Sequence, residues 1–208
     1  MKKIIILLVL LFFGFVSGPY AAIIDFRSGD FSSADGSPSF FYAPAGLTIT
    51  ASPNRATLYQ DSIDGFGVRH SYENDEIEGD EFLHLSFNTS QFLYEILVTD
   101  LFYEPYNYGG GSFLEKGQYS FDQNVWIDFE ADSTQTPSTN GELTLLFASP
   151  TVIDDIWFQA PGWQNCYRED HEFSVARIDV GPVPEPATIL LLGTGLVGLM
   201  GFRKKLKK

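Results

Sequence analysis

The chain has 208 residues, with 13 Lys and Arg against 27 Asp and Glu and a single cysteine, Cys166. Lys2, Lys3, Arg203, Lys204, Lys205, Lys207 and Lys208 lie in the two ends together with Glu185, so the middle keeps 6 basic and 26 acidic residues, about −20 in net charge. That balance excludes nucleic acid and argues against anionic lipid, since either needs positive surface to neutralise its phosphates, and one cysteine allows no internal disulfide.

At the amino end, Lys2 and Lys3 precede an apolar segment from Ile4 to Val16, followed by Ser17-Gly18 and Ala21-Ala22. Basic, apolar and small-residue regions in that order predict a secretory signal peptide over 1–22. Signal peptidase would cut near Ala21 or Ala22, with an uncleaved anchor as the alternative. The remaining middle, 23–181, is roughly 160 residues, enough for one domain with a substantial core.

That middle reads as β throughout. Apolar residues alternate in Leu47-Thr48-Ile49-Thr50, in Phe82 to Phe87, in Val125 to Phe129 and in Glu142 to Phe147. Period two buries one face, so Leu83, Leu85 and Phe87 oppose Phe82, His84 and Ser86, and Val125, Ile127 and Phe129 oppose Trp126 and Asp128. Further strands are predicted over Ile23–Phe26, Ala56–Gln60, Phe66–Arg69, Tyr94–Tyr103, Asp155–Gln159 and Phe173–Val180. Turns fall at Asp35-Gly36, Asp64-Gly65, Glu78-Gly79, Gly109-Gly110-Gly111, Asn140-Gly141 and Pro161-Gly162, and Asp132 to Gly141 reads as a polar hairpin loop. Short strands at this spacing predict an all-β, antiparallel two-sheet β-sandwich, jelly-roll-like, with helices only at the ends; an up-and-down barrel is the runner-up.

Within this domain the acidic run Glu73 to Glu81 is the candidate for calcium, which takes six to eight oxygens, although its register does not fit an EF-hand loop. No other cofactor or metal is expected. Tyr103, Tyr106 and Tyr108 flank one loop and Phe158, Trp163 and Tyr167 another, and such rings could stack on sugar faces as readily as fill a core. Cys166 would need His70, His84 or His171 beside it in space to act as a nucleophile, and reads as a small apolar filler instead. A glycosidase needs two carboxylates about 5 to 10 Å apart, and an acidic chain offers many pairs without singling one out.

The carboxyl end runs Val183-Pro184-Glu185-Pro186-Ala187, then an apolar stretch over 188–202 punctuated by Gly193, Gly195, Gly198 and Gly201, then the basic tail Arg203, Lys204, Lys205, Lys207 and Lys208. As a helix of about 1.5 Å per residue the stretch reaches somewhat over 20 Å, short for a hydrocarbon core near 30 Å, and suits a temporary membrane anchor. Positive residues stay cytoplasmic, so everything between the two apolar segments lies outside. The two prolines hold the Pro184-Glu185-Pro186 peptide extended, the form proteases read.

Residues 182–208 in this order resemble the PEP-CTERM sorting signal of Gram-negative bacteria, a region also catalogued as an ice-binding protein C-terminal domain. The resemblance implies that Pro184, Glu185 and Pro186 are the processing motif read by an exosortase, a membrane cysteine peptidase that cuts near it. Ice binding itself would ask for a flat array of threonines, and Thr48-Ile49-Thr50 is the only such step. Asp64-Gly65-Phe66-Gly67-Val68 followed by Glu76-Ile77-Glu78-Gly79-Asp80-Glu81 resembles a pattern of exported domains that carry this tail, which implies a β-sandwich and no activity. The sequence thus predicts a non-enzymatic protein, exported across the inner membrane of a Gram-negative bacterium to the cell surface or extracellular matrix and membrane-anchored until processed. A carbohydrate-binding module for exopolysaccharide is the alternative, and a glycan hydrolase the second alternative.

Overall fold

The computed structural model describes residues 21–70, 75–105, 112–161, 171–184, 192–195 and 199. The chain divides into Ala21–Gly181 and a second unit formed by Met1–Tyr20 with Pro182–Lys208. In the second unit, 192–195 and 199 are helical. Among the described residues no helix is long and apolar enough to cross a membrane. The signal segment and the rest of the apolar stretch 188–202 lie outside the described residues.

Ala21–Gly181 is mostly β, and, where helices were expected only at the ends, it carries short 3-10 helices at Gly29–Ala34, Ala43–Ala45 and Pro137–Thr139 that turn the chain between strands. Its strands are β1 (Ala22–Asp25), β2 (Ser39–Tyr42), β3 (Leu47–Ser52), β4 (Thr57–Asp61), β5 (Gly65–Arg69), β6 (Ile77–Glu78), β7 (Phe82–Thr99), β8 (Tyr103–Pro105), β9 (Ser112–Leu114), β10 (Lys116–Ser120), β11 (Ile127–Glu130), β12 (Leu143–Gln159) and β13 (Glu172–Pro182). Eleven of them join in one sheet whose main path is β11-β10-β12-β7-β13-β5-β4, with β3 also on β7, β2 on β3, and β1 and β6 on β13; β8 and β9 form a separate ribbon.

The long strands make this single sheet into a sandwich. Residues 82–87 of β7 pair with β3 on one side and, over 82–86, with 155–159 of β12 on the other. Farther along, Leu93 to Val98 of β7 pair with Thr151 back to Leu143 of β12. Register shifts between Leu146 and Thr151 and between Ile153 and Asp155 mark bulges, which let a strand bend and turn from one layer into the other. The two halves then face each other: Phe129 of β11 meets Phe173 of β13 edge-on at 5.1 Å between ring centres. Leu47, Ile49, Leu83 and Leu85 share one buried cluster with Phe66, Val68, Val175 and Ile178. A second group of rings, Phe26, Phe31 and Phe66, packs with centroids 5.2 to 5.7 Å apart.

Alternation was a sound guide where one face is buried. β3 and the start of β7 bury every second residue, with Leu83, Leu85 and Phe87 inside as the pattern predicts. The Gly-Phe-Gly-Val strand has a steric cause. A Cβ on Gly65, which sits at φ +102°, would lie 2.3 Å from the Val175 carbonyl oxygen, and one on Gly67 would lie 1.6 Å from that of Asp75. The backbone needs this approach because Val68 N–H donates to the Glu76 carbonyl at 3.2 Å.

Elsewhere the structure differs from the sequence expectations. Segments 142–147 and 155–159 are one strand, β12, since Pro150 falls in the bulge where no ladder N–H is required. The segment from Tyr94 belongs to β7 as far as Thr99, and β8 starts anew at Tyr103. Asp132 to Gly141 is not a hairpin loop, because β10 stands between β11 and β12. Val125 and Ile127 are exposed while Phe129 is buried. The Asp122 carboxylate takes the N–H groups of Asn124 and Val125, holding that segment in a turn and starting β11 later. The sheet path is also not the consecutive order an up-and-down barrel requires.

Leu85 is fully buried between the halves, whereas Leu146 is 75% exposed. In urea denaturation of the purified protein, Leu85→Ala should lower the unfolding free energy by about 2–5 kcal/mol and Leu146→Ala by no more than about 0.5 kcal/mol. Gly67→Ala should be at least as damaging as the core truncation, because backbone and not a flexible side chain blocks the added methyl.

Candidate functional site

The predicted processing motif, Pro184-Glu185-Pro186, follows the closing strand in the chain. β1 pairs antiparallel with β13 from Ala22 opposite Val180 to Asp25 opposite Arg177, so the chain enters and leaves the domain side by side. A Cβ on Gly181 would lie 3.6 Å from the Ala21 Cα. β13 ends at Pro182, which has no N–H to extend the ladder, and Pro184 is exposed. Glu185, Pro186 and the basic tail lie outside the described residues.

Ion pairs fasten the strands at this exit. Arg177 of β13 donates to Glu95 of β7 and lies 3.5 Å from Asp179. Arg27 bonds Asp25 at 3.0 Å and reaches Glu142 at 3.2 Å, linking the end of β1 to the start of β12. The Arg27 guanidinium holds the Asp25 carboxyl below the ordinary carboxylate range, while burial pushes Asp179 up against the pull of Arg177.

Of the predicted aromatic platforms, only Tyr103 and Phe158 are among the described residues. Phe158 is fully buried, because β12 turns Ile156 and Phe158 inward and Asp155, Trp157 and Gln159 outward. Tyr103 is exposed, and Tyr106, Tyr108, Trp163 and Tyr167 lie outside the described residues. Trp157 is the half-exposed indole, one residue from the expected ring. It stacks on His84 of β7 with centroids 4.5 Å apart and planes at 6°. His84 Nε2 lies 2.8 Å from an Asp155 carboxylate oxygen, and Trp126 leans to within 6.1 Å of the Phe82 ring. The alternation of Asp155 to Gln159 held this signal, but the partners come from other strands.

In the described part of the acidic run, Asp75 to Glu81, no metal-binding group forms. Glu73 and Asn74 lie outside the described residues, and Glu81 folds back so that its carboxylate accepts the Glu78 N–H at 3.2 Å. Among the described residues no group of three or more His, Cys, Asp or Glu could hold a metal ion. Cys166 lies outside them too; His70 is exposed at the end of β5 and His171 is buried before β13.

Acids gather instead at a corner where β5, β7 and β13 meet their loops. Thr99 donates to the Asp64 carbonyl at 2.7 Å, and Asn140 donates to the Asp64 carboxylate at 2.5 Å. Asp100, at φ +57°, donates its N–H to the Asn140 carbonyl at 3.1 Å. Burial pushes Glu76 up to about 9, reinforced by a hydrogen bond with Asp75 and by the charges of Glu172, Asp75 and Asp100. Burial likewise raises Asp100 to about 7, with Asp64, Glu172 and Asp75 adding to the shift and a Ser174 hydrogen bond opposing it. The hydrogen bonds of Thr99 and Asn140 to Asp64 and of Asp100 to Asn140 clasp the loops together at this corner.

The model of the PEP-CTERM protein-sorting motif matches residues 182–205. No curated protein matches the chain. Similar solved structures include the family 32 carbohydrate-binding module of Clostridium perfringens NanJ in complex with galactose, at 15% identity over 64% of this chain and 93% of that one, with a TM-score of 0.34. Discoidin II from Dictyostelium discoideum is 10% identical over 80% of this chain and 56% of that one, TM-score 0.30. CBM32-3 from a family 31 glycoside hydrolase of Clostridium perfringens is 10% identical over 79% and 92%, TM-score 0.30. At these scores the likeness carries no argument about ligand or activity.

Glu76 and Asp100 bind protons more tightly when folded than when unfolded, so each contributes stability that is fully present below the ordinary carboxylate pKa and lost as pH rises toward about 9 and about 7. The urea midpoint should therefore fall steadily between pH 5 and pH 9. Glu76→Gln, which stays neutral, should flatten that slope; an unchanged slope in the variant would remove Glu76 as its source.

Proposed function

We propose that this is a non-enzymatic surface or extracellular-matrix protein, delivered by its signal peptide across the inner membrane of a Gram-negative bacterium and processed by an exosortase at Pro184-Glu185-Pro186. In this reading 1–22 is the signal peptide, 23–181 the exported domain and 182–208 the sorting signal, with 188–202 holding the chain in the membrane until it is cut. The observation that carries the reading is the sorting-motif match over 182–205, which begins at Pro182, where β13 ends. Substrate peptides are read in extended form, and Pro184 and Pro186 disfavour helix on either side of Glu185. The basic tail stays cytoplasmic and fixes the orientation, and the motif's residues serve as substrate.

A second reading, a carbohydrate-binding module for the producer's exopolysaccharide, draws support from the outward side chains around Trp157 and His84. Rings beside fixed amides and carboxylates are the chemistry that sugar recognition uses.

In the native host, wild-type protein should lose its basic tail and leave the inner-membrane fraction, while Glu185→Ala should keep the tail and stay there. C-terminal mass spectrometry with cell fractionation reads both, and identical termini and locations for the two proteins would overturn exosortase sorting.

A further inference from the structure

Strand registers place the outward residues of one half of the sandwich in rows across the strands. Directly opposite residues in an antiparallel pair project from the same face. One row runs Trp157, His84, Thr50 and Ser39, ending at Ser120, which is buried under its own turn, and the next runs Asp128, Gln118, Gln159, Phe82 and Ser52. At about 4.8 Å between strands the open part of the first row is about 14 Å long and the second about 19 Å.

The two rows combine rings with fixed polar groups. The Trp157–His84 stack stands in the first, and Phe82, approached by Trp126, closes the rings of the second. Beside them Gln159 donates to the Gln118 side-chain oxygen at 2.7 Å, and Gln118 donates to an Asp128 carboxylate oxygen at 2.6 Å. This relay fixes both amide orientations and leaves the second Asp128 oxygen and the Gln159 oxygen as acceptors. Asp155, held by His84 at 2.8 Å, adds another acceptor at the rim. Neither row contains Lys or Arg, and the exported region carries about −20. Lys116, farther along the same side of β10, is paired with Glu130 at 3.6 Å, so a polyanion would find little free positive charge here and a repelling field around it.

We propose that this outer face of β3, β7, β12 and β10 is the binding platform for a neutral polysaccharide laid across the strands, its C–H faces against Trp157, Phe82 and Trp126 and its hydroxyls on Gln118, Gln159, Asp128 and Asp155. The proposal deepens the carbohydrate-binding reading and is independent of sorting.

Affinity electrophoresis of the full chain in gels containing a neutral β-glucan, a galactomannan, the host's neutral exopolysaccharide fraction or alginate tests it, with Trp157→Ala and the doubly truncated Gln118→Ala/Gln159→Ala. Wild type should be retarded by at least one neutral polymer and not by alginate, and both variants should bind at least tenfold more weakly with unchanged urea midpoints. If Trp157→Ala fails to fold, the Gln pair decides alone, since it truncates outward amides only. Folded variants that bind as wild type overturn the face and leave the carbohydrate reading standing. No retardation by any neutral polymer overturns both, and retardation by alginate alone overturns the neutral ligand.

Discussion

Two strands of 18 and 17 residues pair along most of their lengths, and the other layers are laid against that ladder. Because β7 and β12 pass through both halves of the sandwich, each half has a central pair whose hydrogen bonds continue into the other. The bulges make this feasible: an unbroken ladder of such length would twist steadily and could not turn a corner into a facing layer. The result is one buried cluster and not two, so that Leu83 and Leu85 near one end of β7 belong to the same core as Ile96 and Val98 near the other.

The parts of the fold legible in the sequence are those where burial alone sets the pattern. β3, the first turn-to-turn stretch of β7, β5 and β13 all carry apolar residues whose spacing reports a single inner face or a fully enclosed strand. What escaped was decided by neighbours. Segments 142–147 and 155–159 read as two strands and are one, with Pro150 in its bulge; Ile127 read as inward and sits on a strand at the end of the sheet path, beside β10. Phe158 and Trp157 differ only in phase, and nothing in the local composition says which of two adjacent rings meets water until the strand has partners.

The same distinction separates the two regions proposed to be functional. A sorting peptide is read as a linear segment, so Pro184-Glu185-Pro186 and the basic residues behind it could be recognised in order along the chain. The aromatic face is assembled from strands far apart in sequence, with Phe82 and His84 brought against Gln159 and Trp157 by register alone. The acidic corner is intermediate: the richness in carboxylates was plain, but that Glu76 and Asp100 hold their protons above the ordinary carboxylate range depends on burial.

The pairing of β1 with β13 has a topological outcome. Ala22 and Val180 are register partners, so the domain's first and last strands finish side by side at one pole, like two cords tied to the same ring. A short linker could join those two ends, and new ends opened in a loop elsewhere would leave every strand pairing intact, as in a circular permutant.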